Sequence, residues 1–207
     1  EFDEYGIFQA SGPIDAYRTI SAGYSHIRDG YPDILLLKRG DEWEEVFGLG
    51  SIGRWDKSGR SNNERIILGS YGSGERPTLL LGSSTGLVLY PETKNLIVSG
   101  IRFFSHTWES TSTSRSIDIL GSGYSDHLYE DCVLERNINR VEGSTIPFQR
   151  ISFRRNHFIE GRPNSLDAKI YATNGTGLLL EENVFYSPNE KNRHLYLSGP
   201  DDSPILQ

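Results

Sequence analysis

The sequence predicts an all-β protein: one single-stranded, right-handed parallel β-helix of about five coils, with an α-helical cap at its N-terminal end. Three observations carry that reading. The first is a repeat. Segments 95–105, 127–136, 150–160 and 177–187 each pass from a β-rich run through a small or polar turn residue to an apolar anchor. The anchors are Phe103, Leu134, Phe158 and Phe185; by subtraction of those numbers they lie 31, 24 and 27 residues apart. A period of that size marks a stacked array, and strands within the unit make each repeat one coil. The second observation is charge. Four residues before the anchors stand Ser99, Glu130, Arg154 and Glu181; three before stand Gly100, Asp131, Arg155 and Glu182. Both columns run acid, arginine, acid over the last three coils. Equivalent residues of stacked strands sit about 4.8 Å apart, so like charges would repel there and alternating ones attract. The third is a helical stripe: Ile14, Tyr17, Ile20, Tyr24 and Ile27 recur every three or four residues and stop near Gly30.

The elements follow in order. Residues 1–13 read as a lead-in, and 14–29 as the cap. An open first coil would expose core and unpaired backbone, and an amphipathic helix laid across it covers both. Strands are expected at 33–38, 65–70, 78–81 and 86–90, then at 116–120, 127–136, 149–160, 169–173, 177–187 and 194–198. Residues 48–64 and 105–115, rich in Gly, Ser, Asn and Thr, read as long loops of the kind that carry function. The whole chain, 1–207, forms one domain: cap 14–29, coils 33–198, tail 199–207. Leu96, Val98, Ile151, Phe153, Leu178 and Leu180 point inward. His127 and Tyr129 fit that pattern badly, which implies a local shift in the second coil. Two residues before the anchors the column is Ile101, Cys132, Asn156, Asn183, where the two asparagines form a short amide ladder.

Composition narrows the function. The chain has 207 residues, net charge -7 and mean hydropathy -0.47. That balance argues against a globally basic nucleic-acid binder. No apolar run approaches the roughly 20 residues of a membrane helix, so neither nucleic acid nor membrane is expected as a partner. Cys132 is the single cysteine, which rules out an intrachain disulfide and reads as a small core hydrophobe. Gly48 to Gly53 matches G-x-G-x-x-G, but no βαβ pattern surrounds it. There is no G-x-S-x-G elbow.

The runs DILLLKRGDEW (33–43) and IILGSYGSGERPTLL (66–80), the SGRS loop between them, and the coils bearing EDCVLE and EENVFY resemble bacterial pectate-lyase-like right-handed parallel β-helix proteins. The resemblance spans about residues 17–198. It implies a bacterial, secreted protein, extracellular or periplasmic, whose substrate or ligand is a polysaccharide. Proteins of this kind often continue through further coils, so the resemblance also allows a truncated chain. It carries no catalytic motif onto particular positions.

Polysaccharide lyases remove a proton α to a uronate carboxyl group. They need a base, usually Lys or Arg, and a cation for the carboxylate. Glycosidases need two carboxyl groups about 5–10 Å apart. Residues 136–169 hold seven basic residues against three acidic ones, a basic band suited to an anionic polymer. Arg154 and Arg155 have acidic neighbours in the stack, whereas Arg162 and Lys169 are freer. Strand alternation leaves Tyr90, Asp118, Lys169, Tyr171, His194 and Tyr196 on one outer face. Aromatic rings beside Lys, Asp and His suit a sugar groove; the same face also suits an ordinary strand with Tyr chosen for β-propensity. On the groove reading, Lys169 is the catalytic base with His194 or Tyr171 as proton partner. Tyr90, Asp118, Arg162 and Tyr196 bind substrate. Asp118 is also a possible Ca²⁺ ligand. Asp126, Glu130 and Asp131 cluster near one turn, as Ca²⁺ ligands or as a solvated acidic turn. No histidine pair has metal-ligand spacing, so no metal site is assigned. The expected function is therefore a lyase-like enzyme on an acidic polysaccharide, with glycoside hydrolysis second. The alternatives are a non-catalytic carbohydrate-binding or adhesive β-helix, or an inactive fragment of a longer enzyme whose open last coil self-associates.

Overall fold

The computed structural model describes residues 16–48, 51–107, 115–160, 168–188 and 193–199. Ile14, Arg162 and residues 200–207 lie outside them. A short helix, α1 (Ile20–Tyr24), comes first. The strands follow in successive rungs. The first rung has β1 (Ile34–Lys38) and β2 (Glu42–Trp43). The second has β3 (Ile66–Tyr71), β4 (Thr78–Leu80) and β5 (Leu87–Val88). The third has β6 (Lys94–Ser99), β7 (Arg102–Phe104) and β8 (Arg115–Gly121). The fourth has β9 (Ser125–Glu130), β10 (Val133–Glu135) and β11 (Ile138–Gly143). The fifth has β12 (Phe148–Arg154), β13 (His157–Ile159) and β14 (Ala168–Thr173). The last has β15 (Gly175–Glu181), β16 (Val184–Tyr186) and β17 (Arg193–Ser198).

Each rung gives one strand to each of three sheets, except the first, which gives none to sheet C. Sheet A has the order β1-β3-β6-β9-β12-β15, sheet B β16-β13-β10-β7-β4-β2, and sheet C β17-β14-β11-β8-β5. Every pairing between these strands is parallel. The chain is thus an all-β parallel solenoid, as the repeat predicts. The anchors fall in one register column: Trp43, Leu79, Phe103, Leu134, Phe158, Phe185. Column-mates stack, with Phe158 and Phe185 ring centroids 4.7 Å apart and their planes nearly parallel.

Two expectations for the N-terminal part need correction. The cap is five residues long, not sixteen. Thr19 caps its N-terminus by accepting a hydrogen bond from the Ala22 amide, and the Ile20 amide donates to Glu45 Oε2 at 2.6 Å. Ile20 and Ile27 are buried. A Cβ on Gly23 would come within 2.9 Å of Leu35 Cδ1, so close approach, rather than helix propensity, sets this contact. Residues 51–64 are also not merely a loop. Trp55 is fully buried, its Nε1 donates to the Lys57 carbonyl, and its ring packs on Phe47 and Tyr24. Phe47 and Trp55 bridge to Leu87 and Leu89, closing the third side of the first rung.

The second coil is in register. Its inward columns are Leu35, Leu68, Val98, Tyr129, Phe153, Leu180 and Ile66, Leu96, His127, Ile151, Leu178. His127 belongs to the core because its polarity is satisfied there. Nε2 lies 2.9 Å from the Thr93 carbonyl, which can only accept, so Nε2 carries the proton. Nδ1 then accepts from the Tyr129 hydroxyl at 3.3 Å. The amide ladder forms as expected: Asn156 Nδ2 donates to Asn183 Oδ1 and to the Tyr129 carbonyl, while its Oδ1 accepts from the Cys132 amide.

The corners repeat a backbone torsion. Gly100, Asp131, Arg155 and Glu182 all have φ between 52° and 71°, in the left-handed region. Asn95, Asp126, Arg150 and Gly177, near the start of the last four sheet A strands, and Arg136 and Glu160 after sheet B lie in the same region, with φ from 48° to 68°. A non-glycine residue there costs roughly 1–2 kcal/mol. The same residues pair between rungs: Asp126 with Arg150 at 2.6 Å, Asp131 with Arg155 at 3.1 Å, Arg136 with Glu160 at 2.9 Å. The bond from Arg150 holds the Asp126 carboxyl below its usual range. Arg154 lies 3.6 Å from Glu130 and 3.4 Å from Glu181, as the alternating charge column predicts.

Candidate functional site

The outer face of sheet C carries the candidate site, because strand alternation there leaves one straight column pointing away from the core. The column is Val88, Asp118, Arg140, Tyr171, Tyr196. Its inward neighbours, among them Ile117, Ile119, Val141, Ile170 and Ala172, are fully buried and fix the strands. At about 4.8 Å per rung the column runs about 19 Å. Arg140 makes a two-pronged pair with Asp118, Nε to Oδ1 at 2.6 Å and Nη2 to Oδ2 at 2.9 Å. That bond raises the Arg140 pKa further above its usual range. The Tyr171 and Tyr196 rings stack at 4.8 Å with 4° between their planes. A second outer column holds Leu120, Glu142, Thr173 and Ser198, with Leu120 exposed.

Three of the residues expected on this face, Asp118, Tyr171 and Tyr196, lie together in register. Tyr90 is exposed beyond the end of β5, with the Arg54 guanidinium 6.0 Å from its ring centre. Arg162 lies outside the described residues. Lys169 is not on the face. It is 1 % exposed, and its Nζ donates to the main-chain carbonyls of Phe158 (2.8 Å) and Tyr186. Alternation alone sends Lys169 outward; instead it is buried, and two carbonyls replace water for its ammonium group. His194 shares the register position of Lys169, and its ring lies 5.7 Å from Phe185. The expected base and its histidine partner therefore do not join Tyr171 in one outer column.

Burial pulls the Lys169 pKa down to about 8, with Glu160 opposing the shift. The unfolded chain keeps that proton up to about pH 10.5. The stability this residue contributes is thus present above 10.5 and lost as pH falls through 8. Wild type minus Lys169→Met is expected to rise by up to about 3 kcal/mol between pH 8 and 10.5 in urea unfolding. A pH-independent difference would show an exposed lysine instead.

The described arginines of the basic band are committed to acids. Arg136, Arg140, Arg150, Arg154 and Arg155 each pair with a carboxylate on a neighbouring rung. The same pairs occupy the acidic trio, since Asp126, Glu130 and Asp131 all face arginines. No group of three metal-binding side chains occurs among the described residues. Cys132 is buried and its thiol is pushed up to about 12 by burial, which removes it as a nucleophile.

Arg140 is the site residue that sequence reading misses. The segment NINRVEG reads as polar and is not expected to be a strand. Aligning Val141 with Ile119 would have set Arg140 beside Asp118. The fold and this face define a parallel β-solenoid with an aromatic and charged outer ridge. No family model matches the chain, and no curated protein or solved structure matches it.

Proposed function

We propose that this solenoid is a carbohydrate-binding protein of the pectate-lyase-like kind, one that grips an extended polysaccharide along sheet C outside the cell and does not cleave it. The supporting observation is the register column in which Asp118, Arg140, Tyr171 and Tyr196 line one ridge. The tyrosine rings use their inner faces on each other, so they offer a ligand their hydroxyls, their edges and the outer face of Tyr196. Repeated hydroxyls at rung spacing, beside a paired Asp and Arg, suit the hydroxyls of a sugar chain better than a localised charge. Arg140 is neutralised by Asp118, and Glu142 stands nearby in sequence on the same face, which favours a neutral polymer over an acidic one. Burial of Lys169 takes from the outer face the residue expected to act as a lyase's base, which supports binding over cleavage.

The test is affinity electrophoresis in gels containing soluble starch, galactomannan or polygalacturonate. Retardation by a neutral polymer is expected, weakened about tenfold in Tyr171→Ala and Tyr196→Ala. Release of unsaturated uronate, seen as a rise in ultraviolet absorbance with polygalacturonate, would replace the binding reading with the lyase one. No retardation by any polymer would end both.

A further inference from the structure

We propose that the free edge of β1 takes up an extended peptide strand from a partner, extending sheet A by one strand. The argument begins with the ladder. Sheet A starts at β1, so one side of that strand pairs with β3 and the other has no strand beside it among the described residues. The Ile67 amide donates to the Asp33 carbonyl, and the Arg39 amide donates to the Tyr71 carbonyl. In a parallel pair this register commits Leu35 and Leu37 to β3. The amides of Ile34, Leu36 and Lys38 and the carbonyls of Ile34 and Leu36 then face away from β3. Such groups at two-residue spacing are complementary to one kind of object, another extended backbone.

The space beside that edge has the right form. A groove of about 460 Å³ runs between β1 and α1, floored by Ile20, Ile27, Leu35 and Leu37. That volume lies within the range of pockets that hold small molecules, about 300–1,000 Å³, and so leaves room for several side chains. Its charges cancel locally, Arg28 on Asp33 at 2.6 Å and Lys38 near Asp41 at 3.6 Å, so the groove selects for shape and apolar alternation rather than charge. The partner is thus a strand with alternate apolar residues, one side chain set reaching the floor and the other facing solvent.

A second copy of this chain fits less well. Pairing β1 with its own copy would set the two strands about 4.8 Å apart, yet each carries α1 packed on Leu35. A helix is about 10 Å across, so the two copies of α1 would collide. A single strand without a helix of its own avoids this.

The experiment uses the full chain and a capped hexapeptide of alternating Val and Thr, followed by amide hydrogen exchange in nuclear magnetic resonance. Peptide is expected to slow exchange at Ile34, Leu36 and Lys38 by about tenfold or more, with Leu35 and Leu37 unchanged. The variant Leu36→Pro removes an amide that makes no bond to β3, so it folds and loses peptide protection. If that variant fails to fold, a peptide N-methylated on alternate residues serves instead, and must bind more weakly. No slowing at millimolar peptide overturns the proposal. Slow exchange at the three amides in the free chain also overturns it, because the edge would then be occupied already; a dependence of that slowing on protein concentration would identify a second copy as the occupant.

Discussion

Replacing Asn156 by alanine is expected to lower the stability of the fold by about 3–5 kcal/mol, the largest loss expected from any single substitution described above. Asn156 is fully buried and ties its own rung to the rungs on either side. Its Oδ1 accepts from the Cys132 amide at 3.0 Å, and its Nδ2 donates to the Tyr129 carbonyl at 2.9 Å and to Asn183 Oδ1 at 3.1 Å. Alanine leaves the Cys132 amide buried without a partner, at about 1–3 kcal/mol, and also removes the bonds that Nδ2 gives to the Tyr129 carbonyl and to Asn183 Oδ1, at about 1 kcal/mol each. For a chain of this size the midpoint of thermal unfolding should fall by about 10 °C or more. Asn183 sits one rung further out and is half-buried, so Asn183→Ala should cost less. Equal losses from the two, measured by calorimetry, would mean that the ladder does not carry the corner.

Acid should weaken the fold through His127. Burial pulls its pKa down to about 4, against the raising effect of its bond to the Thr93 carbonyl. The unfolded chain takes up the proton near pH 6.5, whereas the folded one resists to about pH 4. The contribution is therefore complete above pH 6.5 and is lost as pH falls through 4, by about 3 kcal/mol. Protonation also breaks the geometry, because Nδ1 can no longer accept from Tyr129. In His127→Phe the stability at pH 7 should be lower, since the Tyr129 hydroxyl and the Thr93 carbonyl lose their partner. The further loss between pH 6.5 and 4 should then be smaller by about 3 kcal/mol than in wild type. Parallel stability curves for the two proteins, from denaturant titrations across that range, would remove His127 as the cause.

What could be read from the sequence depended on where each residue finds its partner. The stacking was legible because the partners recur at the same place in each unit. Glu130, Arg154 and Glu181 alternate in charge, and Asn156 and Asn183 repeat one amide, so alignment alone set them side by side. His127 and Lys169 were misread for one reason. Each is a polar residue made acceptable in the interior by main-chain carbonyls: Thr93, 34 residues before His127, and Phe158 and Tyr186 for Lys169. A carbonyl leaves no mark in the sequence, so neither partnership is visible there. Tyr171 and Tyr196 were found on the outer face through simple alternation. Arg140 was not, because its strand has polar residues at both corners and little apolar pattern of its own.

The matching torsions at the corners bear on how such a chain can change in length over evolutionary time. Duplicating or deleting one complete turn joins an equivalent corner to an equivalent corner and leaves every face where it was. A single residue gained inside a strand would instead swap inside for outside along the rest of that strand. Growth by whole turns is thus the permitted route, and the varying distances between anchors show that the slack for smaller changes sits in the connections between sheets, away from the corner between sheets A and B.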